Sequence, residues 1–538
     1  MVETITRNSA TYDEVAYARI ACRWWRTGDQ TEITRMGTPV SPWKFQMIPA
    51  LAILDASGYG GWIDEPRQSL PQLLPWLRAS ATWLWFAGLW IVQAWSGRAY
   101  GHKAALVAGL LYVLGPNLRA HGAIITMETP SLTFIALSVM CLCEWLRQRR
   151  WSWFLASAGA AGFAFSMKFT AIALPVLFSA IVAGRELIRS WNRDKNRLNS
   201  VLITIRSAIR FGTVFGAIMI ITNLAITGFA TITPSERKGD HPWLEKRFSK
   251  SIATRLESVL ETPLPVDWVG FATQMRHQSN GGPSYLLGEK SNSGWKWYYL
   301  VAMAVKCPPV ILAALAIRPF RKWQLDRSED WFIPVFCAVF IAIACVSSKR
   351  NYGYRYLLPL APLAIVWISA MASSKRLKWC SLASVLAAGW ATVACHPYEL
   401  TYFNAIGGGL KNGHRILADS NLDWGQGLIT FQTLLEKRPE LRDVTLFAFG
   451  DIEPEIYGIN VPSFLIDASD KFDHLPEHLK DVTTELVAIS TSLVYGPWGP
   501  DGYFSEFSGM IPVAVTADGT IRIYRVADIS ETPQAPSK

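Results

Sequence analysis

The stretch YGHKAALVAGLLYVLGPNLRAHGAIITMETPSLTF, Tyr100 to Phe134, decides how this chain is read. An apolar run over 103–118 gives way to a short polar passage. Glu128 closes that passage, and a second apolar run follows over 130–146. A helix needs about 20 apolar residues to cross a bilayer, with a range of roughly 17–25. Working outward, runs of this order recur near 77–96, 103–118, 130–146, 152–166, 169–184, 210–229, 297–317, 331–347, 356–373 and 378–395. The runs at 152–166 and 169–184 are short, so they tilt or meet inside the membrane. The expected architecture is an α-helical polytopic membrane protein, with about ten apolar segments in a transmembrane domain over 77–395.

Composition agrees. Half of the 538 residues are hydrophobic, yet mean hydropathy is only +0.18, as in a chain that joins long apolar runs to long polar stretches. The net charge of +10 comes largely from short Lys/Arg clusters between apolar runs, the pattern of cytoplasmic loops and not of a nucleic-acid-binding surface. RQRR (Arg147–Arg150), RELIRSWNRDKNR (Arg185–Arg197), RPFRKW (Arg318–Trp323) and SKRLK (Ser374–Lys378) are therefore expected on the cytoplasmic side, with Arg98 and Lys103. An even number of crossings separates successive clusters, so one topology satisfies them all. It places 1–76, 119–129, the turn at Lys168, the loop 230–296, the loop 348–355 and everything after His396 outside. No signal peptide explains how Asp13 gets there. The expectation is an upstream transmembrane helix missing from this start, or else direct translocation of a short polar tail. The eight Cys show neither a disulfide framework nor metal-ligand spacing.

Residues 396–538 read as a small C-terminal α/β soluble domain. WGQGLITFQTLLEKR carries a helical stripe at Leu428, Phe431, Leu434 and Leu435. DVTLFAF and ELVAIS read as buried strands, VAVTADGTIRIYRV as a hairpin turning at Asp518-Gly519, and SETPQAPSK as a disordered end.

On this topology charges gather at the outer face. Asp13 and Glu14 lie in the first outer stretch, Glu128 starts the 130–146 helix, and Lys168 separates two short runs. Lys306 lies about two turns inside the 297–317 run, and Lys349, Arg350 and Arg355 occupy a short outer loop. Basic residues there run against the positive-inside bias and call for an anionic partner. Cations would hold a lipid-linked phosphate and stabilise it as it leaves. A carboxylate would deprotonate an incoming hydroxyl or coordinate a divalent cation, although no ligand spacing demands a metal. Plainer readings stand beside these. Asp13-Glu14 is also a candidate helix cap, and Asp64-Glu65 is a competing pair. Glu128 also suits a helix N-terminus, and Lys168 a snorkelling position. Lys306 also suits pairing with a carboxylate, and Arg355 and Tyr356 headgroup anchoring. The 24 Trp include possible sugar-stacking rings, although interfacial belts explain most of them.

Taken together, YDEVAY (Tyr12–Tyr17), the opening stretch, GFAFSMKFTAIALPVL (Gly162–Leu177), YGYRYLLPLAPL (Tyr352–Leu363) and YELTYFNAIGGGLKNGHRILADSNLDWGQGL (Tyr398–Leu428) carry a resemblance. They resemble the integral-membrane C-type glycosyltransferases that use polyprenyl-phosphate sugars, the group of the protein O-mannosyltransferases and the lipid A aminoarabinose transferase. The resemblance implies the C-type glycosyltransferase fold. It also implies transfer of a sugar from a polyprenyl-phosphate donor to a protein or lipid/glycan acceptor outside the cell's inner or plasma membrane. By the same resemblance Asp13, with Glu14 beside it, is the base, and Glu128 is a second acidic position. Lys168, Arg355 and Tyr356 contact the lipid phosphate, with Lys306 as a further candidate. Asp419, Asn421, Asp423, Trp424 and Gln426 match the opening of the soluble domain, with no assigned role. Two departures stand out: relatives begin with a transmembrane helix, and many have His-Pro-Pro where this chain has PVSPWK (Pro39–Lys44). A polytopic transporter and a non-catalytic envelope scaffold of the same fold are the alternatives.

Overall fold

The computed structural model describes residues 1–191, 197–234, 249, 261–320, 327–468, 472 and 474–529. The end expected to be disordered, 530–538, lies outside these residues, as do the basic positions at 192–196 and 321–323.

The N-terminal stretch is mostly helical, although its sequence read as a polar loop. Helix α1 (Tyr12–Thr27) starts with a capping box: the Thr11 side chain accepts from the Glu14 N–H, and the Glu14 carboxylate accepts from the Thr11 N–H. Helix α2 (Ser41–Ala56) packs beside it. The bundle follows as α3 (Leu70–Tyr100), α4 (His102–Val113), α5 (Pro116–Gly122), α6 (Glu128–Gln148), α7 (Trp151–Met167), α8 (Leu174–Trp191) and α9 (Arg197–Ile226). Helix α10 (Val266–Asn280) lies in the long loop. The bundle resumes with α11 (Tyr298–Lys306), α12 (Pro309–Ile317), α13 (Ser328–Ser347), α14 (Ala361–Ser369) and α15 (Lys378–Cys395). A 3-10 turn over Tyr354–Leu360 runs into α14.

All ten expected segments are helical. Among the described residues six helical spans are long and apolar enough to cross a membrane, and the bent α11–α12 pair makes a seventh. The other three expected segments are α3, which carries Arg78 and Arg98, and the shorter α4 and α7 of 12 and 17 residues. Helices α7 and α9 pack closely because Gly162 presents no side chain: a Cβ there would lie 2.6 Å from that of Thr222.

The α11–α12 pair bends by 111° at Cys307-Pro308. Proline cannot donate a backbone N–H, so a break here frees carbonyls that apolar surroundings cannot hydrate. Asn404 Nδ2 donates to the carbonyls of Ala304 and Cys307, both at 2.6 Å, and Asn117 Nδ2 donates to that of Lys306 at 2.7 Å.

The C-terminal domain opens with α16 (Leu428–Lys437) and builds a five-stranded sheet from β1 (Val444–Phe449), β2 (Ser463–Ile466), β3 (Leu486–Ser490), β4 (Ala514–Val515) and β5 (Ile521–Arg525), in the order β2-β1-β3-β5-β4. β1 is parallel to β2 and β3, and β5 is antiparallel to β3 and β4. Alternation divides its faces. Val444, Leu446, Ala448 and Ile523 join α16 and the buried side chains of α1 and α2, whereas Phe447, Phe449, Val487 and Tyr524 pack under Leu493, Phe504 and Phe507. The N-terminal helices thus share one core with the C-terminal sheet.

The two ends of the bundle differ in charge. Arg98 stacks on Trp153, Arg149 pairs with Glu186 at 3.9 Å, Arg185 lies over Trp331, and the Ser373 hydroxyl bonds the Tyr100 carbonyl. The described parts of the basic clusters therefore gather at one end, as the shared topology requires. Glu128 and Lys168, at the opposite ends of α6 and α7, mark the other.

Candidate active site

Helix starts and short turns place the site's side chains. Asp13 is the second residue of α1, Glu128 the first of α6, and Lys168 the residue that ends α7. Arg355 sits in the 3-10 turn that begins after Gly353. That glycine has φ +114°, and a Cβ would lie 2.6 Å from the Ser420 hydroxyl, so the turn can press against the C-terminal domain.

Two ion pairs meet here. Arg355 Nη1 donates to Asp13 Oδ2 at 3.2 Å, across 342 positions of sequence, and Lys168 Nζ donates to Glu128 Oε1 at 2.9 Å. Tyr356 joins them, with the Lys168 ammonium 4.4 Å and the Arg355 guanidinium 5.8 Å from its ring centroid. The other side of Arg355 lies over Trp424 at 4.2 Å. Tyr17, one turn along α1, donates its hydroxyl to the same Asp13 oxygen at 3.3 Å. Asp13 keeps 24% of its side chain exposed, whereas the Glu128 side chain keeps 3%. Burial pushes the Asp13 carboxyl above the usual aspartate value, Arg355 opposes that shift, and the charges of Glu128 and Asp419 add to it.

Glu14 is directed elsewhere. Its carboxylate receives Nε and Nη2 of the buried Arg78 at 2.8 and 2.7 Å, and the Ile125 N–H at 2.9 Å. Arg78 also donates to the carbonyls of Ile5, Asn8 and Ser9. Of the adjacent acids, one faces the cluster and the other holds the N-terminal segment on α3. The competing Asp64 pairs with Arg26 at 2.7 Å, away from the cluster. Lys306 is also buried, and its Nζ donates to the carbonyls of Leu400 and Asn421 at 3.0 and 2.7 Å, below the ring of Phe403. Its partners are main-chain oxygens at the root of the C-terminal domain.

The soluble-domain motif is mostly joinery. Asn421 accepts from the Tyr354 N–H and donates to Tyr298 Oη. Asp423 accepts from the N–H groups of Ser492 and Gly425. Gln426 accepts from the Trp424 N–H and donates to the Leu422 carbonyl, while the Trp424 carbonyl receives the Tyr12 N–H. Two members reach the cluster: the Trp424 ring lies against Arg355, and Asp419 lies within electrostatic reach of Asp13 and Arg355 and accepts from the Trp498 indole at 2.9 Å.

An apolar cavity of about 320 Å³ opens between α4, α12, α13 and α14, with Pro308 and Ile341 in its wall; the turn that carries Arg355 and Tyr356 contributes Tyr354 and Leu357 to it, while the cluster's own side chains do not line it. Among the described residues no group of three or more His, Cys, Asp or Glu is arranged to hold a metal ion. Asp13, Glu14 and Glu128 each face a separate cation.

The sequence reading missed Arg78, Tyr17 and Asn404. Arg78 was legible as a lone charge inside an apolar run, and Tyr17 as the residue four after Asp13 on a helix. Asn404 had no local signal, since its work is to satisfy a break almost 100 residues away.

Residues 79–208 match the family described as dolichyl-phosphate-mannose-protein mannosyltransferase. This agrees with the resemblance read from the sequence. The matched segment includes Glu128 and Lys168, but not Asp13, Arg355 or Asp419. No curated protein matches the chain. Among solved structures, ArnT from Cupriavidus metallidurans bound to undecaprenyl phosphate aligns with 13% identity over 99% of this chain and 96% of that one, at a TM-score of 0.46. The apo state of the same protein aligns with 14% identity over 97% and 95%, also at 0.46.

Proposed function

We propose that this multi-pass membrane protein is a glycosyltransferase that moves a sugar from a polyprenyl-phosphate donor to a protein or lipid/glycan acceptor on the extracytoplasmic face. One observation carries the reading. Two carboxylates, each paired to a cation, lie at the end of an apolar bundle, and the turn that carries Arg355 and Tyr356 also lends Tyr354 and Leu357 to the wall of an apolar cavity. That is the complement of a lipid with an anionic head and a long hydrocarbon tail.

In this mechanism the tail enters the cavity and the phosphate takes Lys168 and Arg355 from their carboxylates, with Tyr356 keeping the two cations together. Losing Arg355 leaves Asp13 with only the Tyr17 hydrogen bond and turns it into a stronger base. The acceptor O–H then attacks the anomeric carbon from the face opposite the phosphate. The C–O bond to phosphate breaks, the phosphate leaves with the bonding electron pair, and Asp13 takes the acceptor's proton. The configuration inverts. Lys168 and Arg355 stabilise charge as it grows on the leaving oxygen. Glu128 holds Lys168 in place until the phosphate binds, and limits net positive charge. On this scheme the donor binds first, because it unmasks the base.

The reading is tested with purified protein and a synthetic polyprenyl-phosphate sugar, following sugar transfer and release of polyprenyl phosphate. Release that depends on Asp13 and on Arg355 is expected. Unchanged release in Asp13→Asn overturns the role of Asp13. Mass spectrometry of surface proteins and glycolipids with and without the gene identifies the acceptor class.

A further inference from the structure

Trp498 does not belong to an apolar helix, so no interfacial belt accounts for it. It lies in the C-terminal domain after β3, and its indole N–H donates to Asp419 Oδ1 at 2.9 Å. Its ring stacks on Phe449, with centroids 5.7 Å apart and planes 16° apart. Phe449 stacks in turn on Tyr12 at 5.6 Å and 14°, and Tyr352 lies 6.2 Å from Trp498. Three distant parts of the chain thus build one aromatic row. It runs from the residue before Asp13 to the loop that carries Arg355.

Two details go beyond packing. Phe449, in the middle, is buried, whereas Tyr12, Tyr352 and Trp498 are each only partly buried. The row also encloses a carboxylate. Asp419 has φ +56°, a left-handed conformation uncommon for a residue with a side chain, and one that persists where the surroundings hold it. The Ser420 hydroxyl bonds the Tyr352 carbonyl and helps to hold it. An aromatic row that only cemented two domains would be better served by an apolar residue at 419 than by a carboxylate near Asp13. Partly exposed aromatic side chains beside a fixed carboxylate match the chemistry of a pyranose. Its C–H face is apolar and lies flat on an aromatic ring, and its hydroxyls donate to carboxylate oxygens.

We propose that Trp498, Tyr352 and Tyr12, with Asp419, bind a pyranose ring of the acceptor, so that the acceptor is a glycan and not a bare peptide. The proposal rests on the glycosyltransferase reading above. The test uses the full chain in detergent and saturation-transfer NMR with two probe sets: soluble oligosaccharides of neutral, amino and acidic pyranoses, and Ser/Thr peptides without sugar. At least one oligosaccharide should take up saturation at its ring C–H protons. Its Kd should rise about tenfold in Trp498→Ala, the loss of one stacked ring, and less in Trp498→Phe, which keeps a ring and controls for misfolding. Asp419→Asn should weaken the same oligosaccharide. No saturation of any oligosaccharide, equal affinity in Trp498→Ala, or equal binding of the bare peptides overturns the proposal. Native mass spectrometry with a polyprenyl phosphate is run in parallel. Its failure with the wild-type chain counts against the donor reading, whereas the saccharide result is read independently.

Discussion

At the scale of the residue, the adjacent acids Asp13 and Glu14 have opposite fates. Consecutive side chains on an α-helix point about 100° apart, since 3.6 residues complete a turn. If one faces a cleft, the next faces a wall. The sequence offered the pair as a unit; the helix divides it. Asp13→Asn should lower kcat by about 10²- to 10⁴-fold, the usual contribution of a general base, while polyprenyl-phosphate affinity is kept or rises, since Arg355 no longer has to leave a carboxylate. A base works ionised, so activity is lost as pH falls through its pKa. Burial raises that value in Asp13, so the acidic limb of kcat/KM should lie above the ordinary aspartate value of 3.8. A pH–rate profile measures this, and a limb at or below 3.8 argues for another base. Arg355→Lys should not restore an Arg355→Ala variant. The guanidinium stacks on Trp424 while reaching Asp13, and a lysine ammonium does not reproduce that planar fork. Transfer assays on the two variants side by side decide this; full activity in Arg355→Lys would count against it.

At the scale of the element, helix positions were legible because lipid-facing helices need long apolar runs. The helices of the first 76 residues were not legible. Helix α1 buries one face in the core it shares with the C-terminal sheet and carries polar residues on the rest, while α2 is apolar nearly all round but, at 16 residues, shorter than a bilayer crossing. The Glu14–Arg78 pair anchors this segment to α3. Removing one partner of a buried ion pair leaves the other charged and unpaired, at a cost of about 3–5 kcal/mol. Glu14→Ala should therefore lower the Tm markedly, and Glu14→Gln with Arg78→Met should recover much of the loss. Thermal unfolding in detergent measures both, and a Glu14→Ala protein as stable as the wild type would exclude the anchoring role. The α11–α12 break teaches the same lesson. The sequence read 297–317 as one run; the structure breaks it before Pro308, and Asn404 supplies donors to the freed carbonyls.

At the scale of the whole molecule, two lysines that looked alike in the sequence do different work. Lys168 meets the site's ion pairs, whereas Lys306 binds carbonyls at the root of the C-terminal domain. Lys306→Met removes two charge-assisted hydrogen bonds, each worth about 1.5–3 kcal/mol, and should speed hydrogen exchange over residues 398–424. Lys168→Met should weaken polyprenyl-phosphate binding and leave that exchange unchanged. Exchange mass spectrometry on both variants distinguishes the two roles; identical behaviour would contradict the division. By itself the sequence determined the helical, multi-pass architecture, the small α/β domain after it, and the grouping of basic clusters at one end. Those properties follow from composition and periodicity along short windows, because lipid and strand pleats act on neighbouring residues. Only the tertiary structure decided that Asp13 meets Arg355, that Glu14 turns to Arg78, that Lys306 meets the carbonyls of Leu400 and Asn421, and that the Trp498 indole meets Asp419. Each is a pairing of groups tens to hundreds of residues apart. Charge attraction and ring stacking depend on distance and direction in space, which packing sets and local sequence does not record.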